Sequence, residues 1–179
     1  MSEYLKEISA FVADTNYADL PSEATDRGRR VIADSIAAIA SGSAEPEVVA
    51  LLDRMVKSDG PSSIIGTNRS SDPATTAFLN GTAGTFLELD EGNQFSRGHP
   101  GIHALPSALA VAEQIGAEGQ AFLTAMILGY EIGARIGIAA KIRPTMHPHG
   151  TWGTVGSAVA VAKLMNASAN KIREVINVS

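Results

Sequence analysis

The spacing of the apolar residues is the feature that most constrains the fold of this chain. Apolar side chains recur every three or four residues along nearly the whole sequence, which is typical of amphipathic helices. Only residues 62–66 have the character of a strand, and they are too short to form a sheet by themselves. The sequence therefore predicts an all-α multi-helix bundle, with residues 1–179 in a single helical domain.

Proline, glycine and capping residues divide this pattern into separate helices. Asp72 and Pro73, for example, have the residue types of an N-cap and a first helical position. The predicted helices cover residues 5–12, 21–42, 46–55, 73–89, 106–114, 119–142, 151–165 and 168 onward. Two polar loops, residues 90–101 and 145–150, are left between them.

The composition excludes several classes of protein. The chain contains no Cys, which rules out a disulfide scaffold, a Cys-ligated zinc site, an iron–sulfur cluster and a thiol nucleophile. Its net charge of −5 argues against nucleic-acid binding, because no basic stripe is available for the phosphates. The N-terminus lacks the pattern of a signal peptide.

The most apolar stretch, residues 119–140, is long enough to span a membrane. Glu131 and Arg135 interrupt it at a spacing that allows an ion pair along one helix face. We therefore predict a buried helix of a cytoplasmic protein that does not enter a membrane. The final helix still presents its apolar face at residue 179 without a stop signal, so we expect an N-terminal fragment of a longer two-domain protein.

Glycines recur with a helical period in two places. One series, spaced by four, is Gly129, Gly133 and Gly137. The other, spaced by three, falls within residues 150–156, which follow a loop and lack the pattern of a phosphate-binding turn. Both series predict close approach between helix backbones, since glycine otherwise disfavours a helix.

All four histidines fall in or beside the two polar loops. They are His99, His103, His147 and His149. Loops held by a rigid scaffold often carry functional sites, and imidazole suits proton transfer near neutral pH. An acidic group precedes the first pair, and basic residues lie near both loops; these are Glu88, Asp90, Glu91, Arg97, Lys141 and Arg143.

Other interpretations of the histidines compete with proton transfer. His99 and His103 have the i,i+4 spacing of a helical zinc pair, but Pro100 stands where that pattern needs Glu. His147 and His149 could bind a metal only through an extended segment. The chain has no G-x-S-x-G elbow for a serine triad. Each histidine could also be a surface or capping imidazole, and we predict no metal site.

Several ordered motifs resemble the MmgE/PrpD family. They are residues 78–84 (FLNGTAG), 87–91 (LELDE), His99-Pro100, Pro106 and 147–156 (HPHGTWGTVG), the last followed by an Ala-rich helix. The resemblance covers essentially the whole chain. It implies a large helical domain with a smaller lid domain inserted later in the chain, and a homodimer.

The resemblance also implies roles for individual residues. His99 and His147 match the family's two loop histidines, and Glu88, Asp90 and Glu91 match its acidic run. The chain departs from many relatives at Thr85, where they carry His, and in the order of the acidic run. The family's lysines that line the site lie beyond residue 179.

Together these observations predict a cofactor-independent dehydratase that acts on a small di- or tricarboxylic acid such as 2-methylcitrate. We expect His99 and His147 to form the acid/base pair and Asp90 to orient an imidazole. Arg97, His149 and Glu88 are expected to contact the substrate. The alternatives are an epimerase or decarboxylase acting on a similar acid, or a non-catalytic helical interaction fragment, and we expect this chain alone to be weakly active or inactive.

Overall fold

The computed structural model describes residues 3–179, and over that range the all-α prediction is confirmed. A 3-10 turn and a two-stranded hairpin accompany the eight helices of the described range. The elements are α1 (Glu3–Asp14), a 3-10 turn (Tyr17–Asp19), α2 (Ser22–Gly42), α3 (Pro46–Met55), β1 (Ser62–Ile64), β2 (Arg69–Ser71), α4 (Pro73–Phe86), α5 (Pro100–Ile115), α6 (Gly119–Ala139), α7 (Trp152–Leu164) and α8 (Ala169–Val178).

The core lies on both faces of the central helices α5, α6 and α7. One cluster joins α1, α6, α7 and α8 through side chains that include Val12, Leu128, Ile132, Val159 and Ile172. A second cluster joins α2, α3, α4, α5 and α6 through Ile39, Val48, Ala83, Leu105 and Met126. Burial of these faces is the main stabilising contribution to such a bundle.

Some large apolar side chains on the helices face solvent. Phe11 is 50% exposed and Phe78 is 52% exposed. Ile36 and Val49 are also exposed, whereas Ile39 and Val48 beside them are buried. The helical period therefore predicts the helices but does not by itself give the buried face of each one.

The predicted strand has a partner that the sequence did not reveal. β1 pairs antiparallel with β2, with Ser62 opposite Ser71 and Ile64 opposite Arg69. The residues of β2 are Arg-Ser-Ser, which carry no apolar alternation. Asn80 of α4 supports the hairpin, since it accepts from Ile65 N and donates to Ser63 O, and Ile64 packs in a buried cluster with Leu52 and Leu79.

Helix α5 begins six residues earlier than the predicted start at Pro106. Pro100 occupies its first turn and His99 is its N-cap, while Pro106 lies inside the helix and is buried. Proline at the first helical position needs no intrahelical donor, so Pro100 is the true start. The predicted ends also shift, since α4 ends at Phe86 and α6 ends at Ala139.

Helices α6 and α7 cross at very short range at Gly129, Gly133 and Gly156, which confirms the predicted backbone approach for these three. Gly137 and Gly153 instead face the rings of Trp152 and His103, and nothing lies within 4 Å of a Cβ at Gly150. A Cβ at Gly129 would lie 2.6 Å from the carbonyl oxygen of Gly156. A Cβ at Gly133 would lie 3.2 Å from the Cα of Gly156. Only residues without side chains allow this approach.

Helix α6 is the one helix among residues 3–179 whose own length and composition would suffice to cross a membrane. Half of its apolar window is buried against the other helices. Glu131 and Arg135 form the expected i,i+4 ion pair on its surface. Both observations match a core helix of a helical bundle.

Candidate active site

The four histidines form one cluster, although the two pairs lie more than forty residues apart in the sequence. The ring of His149 stacks on His147, with centroids 4.4 Å apart, and on His99, with centroids 5.5 Å apart. His103 meets the same ring edge-on at 4.4 Å. We call these four side chains the histidine cluster, with His149 at its centre.

The packing of α5 on α7 brings the two loops together. His99 caps α5 and His103 lies in its first turns, while His147 and His149 precede α7. A side chain at Gly153 of α7 would overlap the His103 ring, so glycine is needed there. Glycine at this position therefore lets a buried imidazole lie directly against the neighbouring helix.

His99 is oriented by Asp90. Its Nδ1 lies 3.3 Å from the carbonyl oxygen of Asp90 and 3.1 Å from the carboxylate atom Oδ2. Because a carbonyl oxygen only accepts hydrogen bonds, these partners assign the proton to Nδ1 and a free lone pair to Nε2. Burial raises the pKa of the Asp90 carboxyl, and the neighbouring His99 opposes this shift.

His147 has the opposite tautomer. The backbone N–H of His149 donates to His147 Nδ1 at 3.3 Å. In the neutral ring this leaves the proton on Nε2, so His147 presents an N–H where His99 presents a lone pair. The loop is fixed by Thr151, whose Oγ1 donates to the carbonyl oxygens of His147 and Pro148 at 3.1 and 3.0 Å.

His103 and His149 share a hydrogen bond between His103 Nε2 and His149 Nδ1. Burial is the main cause that lowers the pKa of His103 to about 3, with the other three histidines adding to the shift. Burial also lowers the pKa of His149, and His147 and His99 act in the same direction. Both rings are therefore neutral near pH 7. Sequence reasoning gave His103 no role, although its i,i+4 spacing from His99 was noted.

A cleft of about 690 Å3 opens beside the cluster. Its walls come from α4, α5 and the loop before α7, and include Phe78, Thr82, Glu88, His103, His147 and His149. His99 is not among the wall residues and is joined to the cleft through His149, on which its ring stacks. The walls are mixed, with an apolar side from α4 and a hydrogen-bonding side from the histidines, which is typical of small-molecule sites.

Arg97 does not line this cleft. It is exposed and has a left-handed backbone conformation with φ of 58°. Its backbone N–H donates to the carbonyl oxygen of Asn93 in the turn before α5. No Lys or Arg among residues 3–179 lines the cleft, so the substrate contact expected of Arg97 stays a prediction.

The three acidic residues of the predicted run occupy three different environments. Glu88 is exposed and borders the cleft, and Asp90 is buried beside His99. Glu91 accepts from the backbone N–H of Gly101 at 2.7 Å and from Tyr130 Oη at 3.2 Å. Glu91 therefore anchors the loop to the N-terminus of α5, where the helix dipole favours a carboxylate.

A metal site finds no support in the described range. No three His, Asp or Glu side chains among residues 3–179 are arranged to hold a metal ion. His103, the second member of the i,i+4 pair, is bonded to another imidazole.

Comparison with known proteins matches the chain to one family model and to two named fungal relatives. Residues 6–179 match the MmgE/PrpD N-terminal domain. The cis-aconitate decarboxylase-like protein oryM of Aspergillus oryzae is 27% identical over 97% of this chain and 39% of its own length. Cis-aconitate decarboxylase of Aspergillus terreus is 23% identical over 97% of this chain and 38% of its own length. The chain thus spans about two fifths of these relatives.

Proposed function

This chain belongs to the MmgE/PrpD family, and we propose that it supplies the histidine side of the active site of a cofactor-independent lyase acting on a small di- or tricarboxylic acid. The observation that carries the proposal is the pairing of opposite tautomers in the histidine cluster, of which His147 lines the cleft and His99 does not. His99 offers a lone pair at Nε2, and His147 offers an N–H at Nε2. Lyases that eliminate a neutral molecule need both a base and an acid.

Dehydration is the reaction we propose first, since it uses both groups. His99 Nε2 takes the proton from a carbon next to a substrate carboxylate, and the C–H electron pair forms the carbon–carbon double bond. The carbon–oxygen bond breaks, and the departing hydroxyl takes the proton of His147 Nε2 to leave as water. The backbone carbonyl oxygen of Asp90 accepts the Nδ1–H of His99, and the Asp90 carboxylate 3.1 Å from Nδ1 stabilises the imidazolium that forms.

Decarboxylation is the second candidate, and the names of the two fungal relatives favour it. In this reaction the bond to a carboxylate carbon breaks, and CO2 leaves without its electron pair. The carbanion left behind takes a proton from the N–H of His147. This path uses His147 as the donor and leaves His99 to contact the substrate.

Substrate carboxylates need cations that the cleft walls of residues 3–179 do not supply. The resemblance to the family places lysines beyond residue 179, and we propose that they complete the site. We also propose that the whole protein is a cytoplasmic homodimer that binds neither nucleic acid nor membrane. Large apolar side chains exposed at the end of α4 and in the loop that follows it support a covered surface there; Phe86, Leu89 and Phe95 are 41, 63 and 71% exposed.

The proposal is tested by replacing His99 or His147 with Ala in the whole protein. Either change is expected to lower kcat by about 10²-fold or more, the usual contribution of one acid/base group. Met146→Leu is the matched control, because Met146 lies in the same loop and outside the cleft walls. Full activity of both histidine variants, with the fold retained, would exclude this function.

The reaction type is tested by incubation with 2-methylcitrate and with cis-aconitate in deuterated water. An unsaturated product from the hydroxy acid indicates dehydration, and CO2 release indicates decarboxylation. Deuterium uptake without any net product would instead support the epimerase alternative.

A further inference from the structure

We propose that His103 is a positioning residue that holds His149 in one tautomer, with the Nε2–H of His149 available to a substrate oxygen in the cleft. The inference rests on the proposed function and adds a third imidazole to it. Its basis is the direct ring-to-ring hydrogen bond at the centre of the histidine cluster. His103 itself acts through His149, and His149 is the group that contacts substrate.

The surroundings of His103 hold its ring in one orientation. The ring lies against Gly153, where a Cβ would overlap it, and meets the Trp152 ring edge-on with centroids 5.1 Å apart. Its backbone carbonyl accepts a hydrogen bond from Ser157 Oγ. A side chain enclosed on these sides can fix its hydrogen-bond partner, because its own rotamer is locked.

The surroundings of His103 Nδ1 determine which of the two rings donates the shared proton. His103 Nδ1 is buried and has no hydrogen-bond partner among residues 3–179. The Cβ position of Gly153 lies over the face of the ring at this atom, so α7 packs against the ring face there. Buried N–H groups without an acceptor are rarer in proteins than buried acceptors without a donor, so Nδ1 carries the lone pair. Nε2 of His103 therefore carries the proton and donates it to Nδ1 of His149, which leaves the proton of His149 on Nε2.

The charges around His149 favour this state. His147 and His99 face it on either side, and Asp90 and Glu88 act from the loop before α5. Burial and the two histidines lower the pKa of His149, while the two carboxylates oppose the shift. The His149 ring therefore stays a neutral donor while His99 and His147 exchange protons with the substrate. Such a donor can stabilise negative charge that develops on a substrate carboxylate or carbonyl oxygen.

The tautomer is measured directly by NMR of the whole protein with 15N-labelled histidine, with His149 assigned from the His149→Phe variant. We expect the wild-type His149 to show a protonated Nε2 and an unprotonated Nδ1. His103→Gln keeps an N–H donor and should preserve this signature, whereas His103→Leu should give a mixture of tautomers. A wild-type His149 protonated at Nδ1, or an unchanged signature in His103→Leu, would overturn the proposal.

Activity provides the second measurement. His103→Leu is expected to lower kcat by about tenfold or more, with KM less affected, while His103→Gln stays within about threefold of wild type. The double variant His103→Leu/His149→Phe should have the same kcat as His149→Phe alone, because both changes remove the same function. Additive losses would contradict this. The NMR result does not depend on turnover, so it remains decisive if the lyase assignment fails.

Discussion

Each imidazole of the cluster has a different hydrogen-bond environment, and this gives one residue type several chemical properties. His99 is held by an acceptor, His147 by a donor, and His103 and His149 by each other. Neutral imidazole has one donor and one acceptor, so whichever nitrogen is occupied determines what the other can do. A base, an acid and a fixed neutral donor can therefore come from the same side chain at three positions.

The burial of His103 predicts a pH dependence of stability. The pKa of the His103 ring falls from 6.5 to about 3 on folding. Between these two pH values the unfolded chain binds a proton at His103 that the folded chain does not. The stabilisation is complete above pH 6.5 and is lost as the pH falls toward about 3. The free energy of unfolding should decrease by at most about 1.4 kcal/mol per pH unit for this group.

Urea unfolding at several pH values between these limits would measure the effect. His103→Leu should show a shallower slope than wild type, while Met146→Leu in the neighbouring loop should keep the wild-type slope. The slopes of wild type and variant must be compared because burial also raises the pKa of Asp90 and Glu91. These two carboxyls make the free energy of unfolding fall as the pH rises, which is opposite to the effect of His103. Identical slopes for wild type and His103→Leu would refute the prediction.

At the scale of the elements, the start of α5 determines where the first histidine pair lies. The helix begins at Pro100, which places His99 at the N-cap and His103 one turn later. Glu91 holds this start by accepting from Gly101 N, and Tyr130 of α6 holds Glu91 in turn. Glu91 thus links the loop before α5 to both α5 and α6.

Glu91→Ala should therefore destabilise the protein. We expect a loss of about 1–2 kcal/mol, because the N–H of Gly101 and the hydroxyl of Tyr130 lose their acceptor. For a chain of this size, thermal unfolding should shift by roughly 2–4 °C for each kcal/mol. Glu118→Ala is the matched control, since Glu118 precedes α6 without a side-chain cap and is exposed. Equal shifts for the two variants would show that the Glu91 contacts contribute nothing.

At the scale of the whole molecule, the close crossing of α6 and α7 places the second histidine pair. The loop that carries His147 and His149 connects these two helices, so their separation and angle set its position. α7 also packs on α5, and this contact brings the loop against the first pair. The cluster is therefore a consequence of how three helices pack on one another.

Gly129→Ala tests this crossing. The new methyl group would lie 2.6 Å from the Gly156 carbonyl oxygen, so the helices must separate. We expect a loss of about 1–3 kcal/mol in the free energy of unfolding, as for other overpacked cores. Gly119→Ala is the control, because nothing lies within 4 Å of a Cβ there. That change should be neutral or stabilising by up to about 1 kcal/mol. A Gly129→Ala variant as stable as the control would contradict the close packing.

The sequence by itself determined the helices, most of their boundaries and the two loops that carry the histidines. These features follow from local chemistry, since period, capping and glycine placement act within a few residues of one another. The Asp72 cap of α4 and the Gly116 end of α5 are examples of such local signals. β2 escaped prediction because its three residues, Arg-Ser-Ser, lack the apolar and β-branched side chains that mark a strand.

Only the tertiary structure decided which side chains meet. The pairing of His103 with His149, the separate environments of Glu88, Asp90 and Glu91, and the position of Arg97 outside the cleft all depend on contacts between distant parts of the chain. Helical period states which residues share a face, but it does not state which neighbour covers that face or at what distance. Tautomers and pKa shifts follow from those neighbours, so the chemistry of the site is fixed by packing.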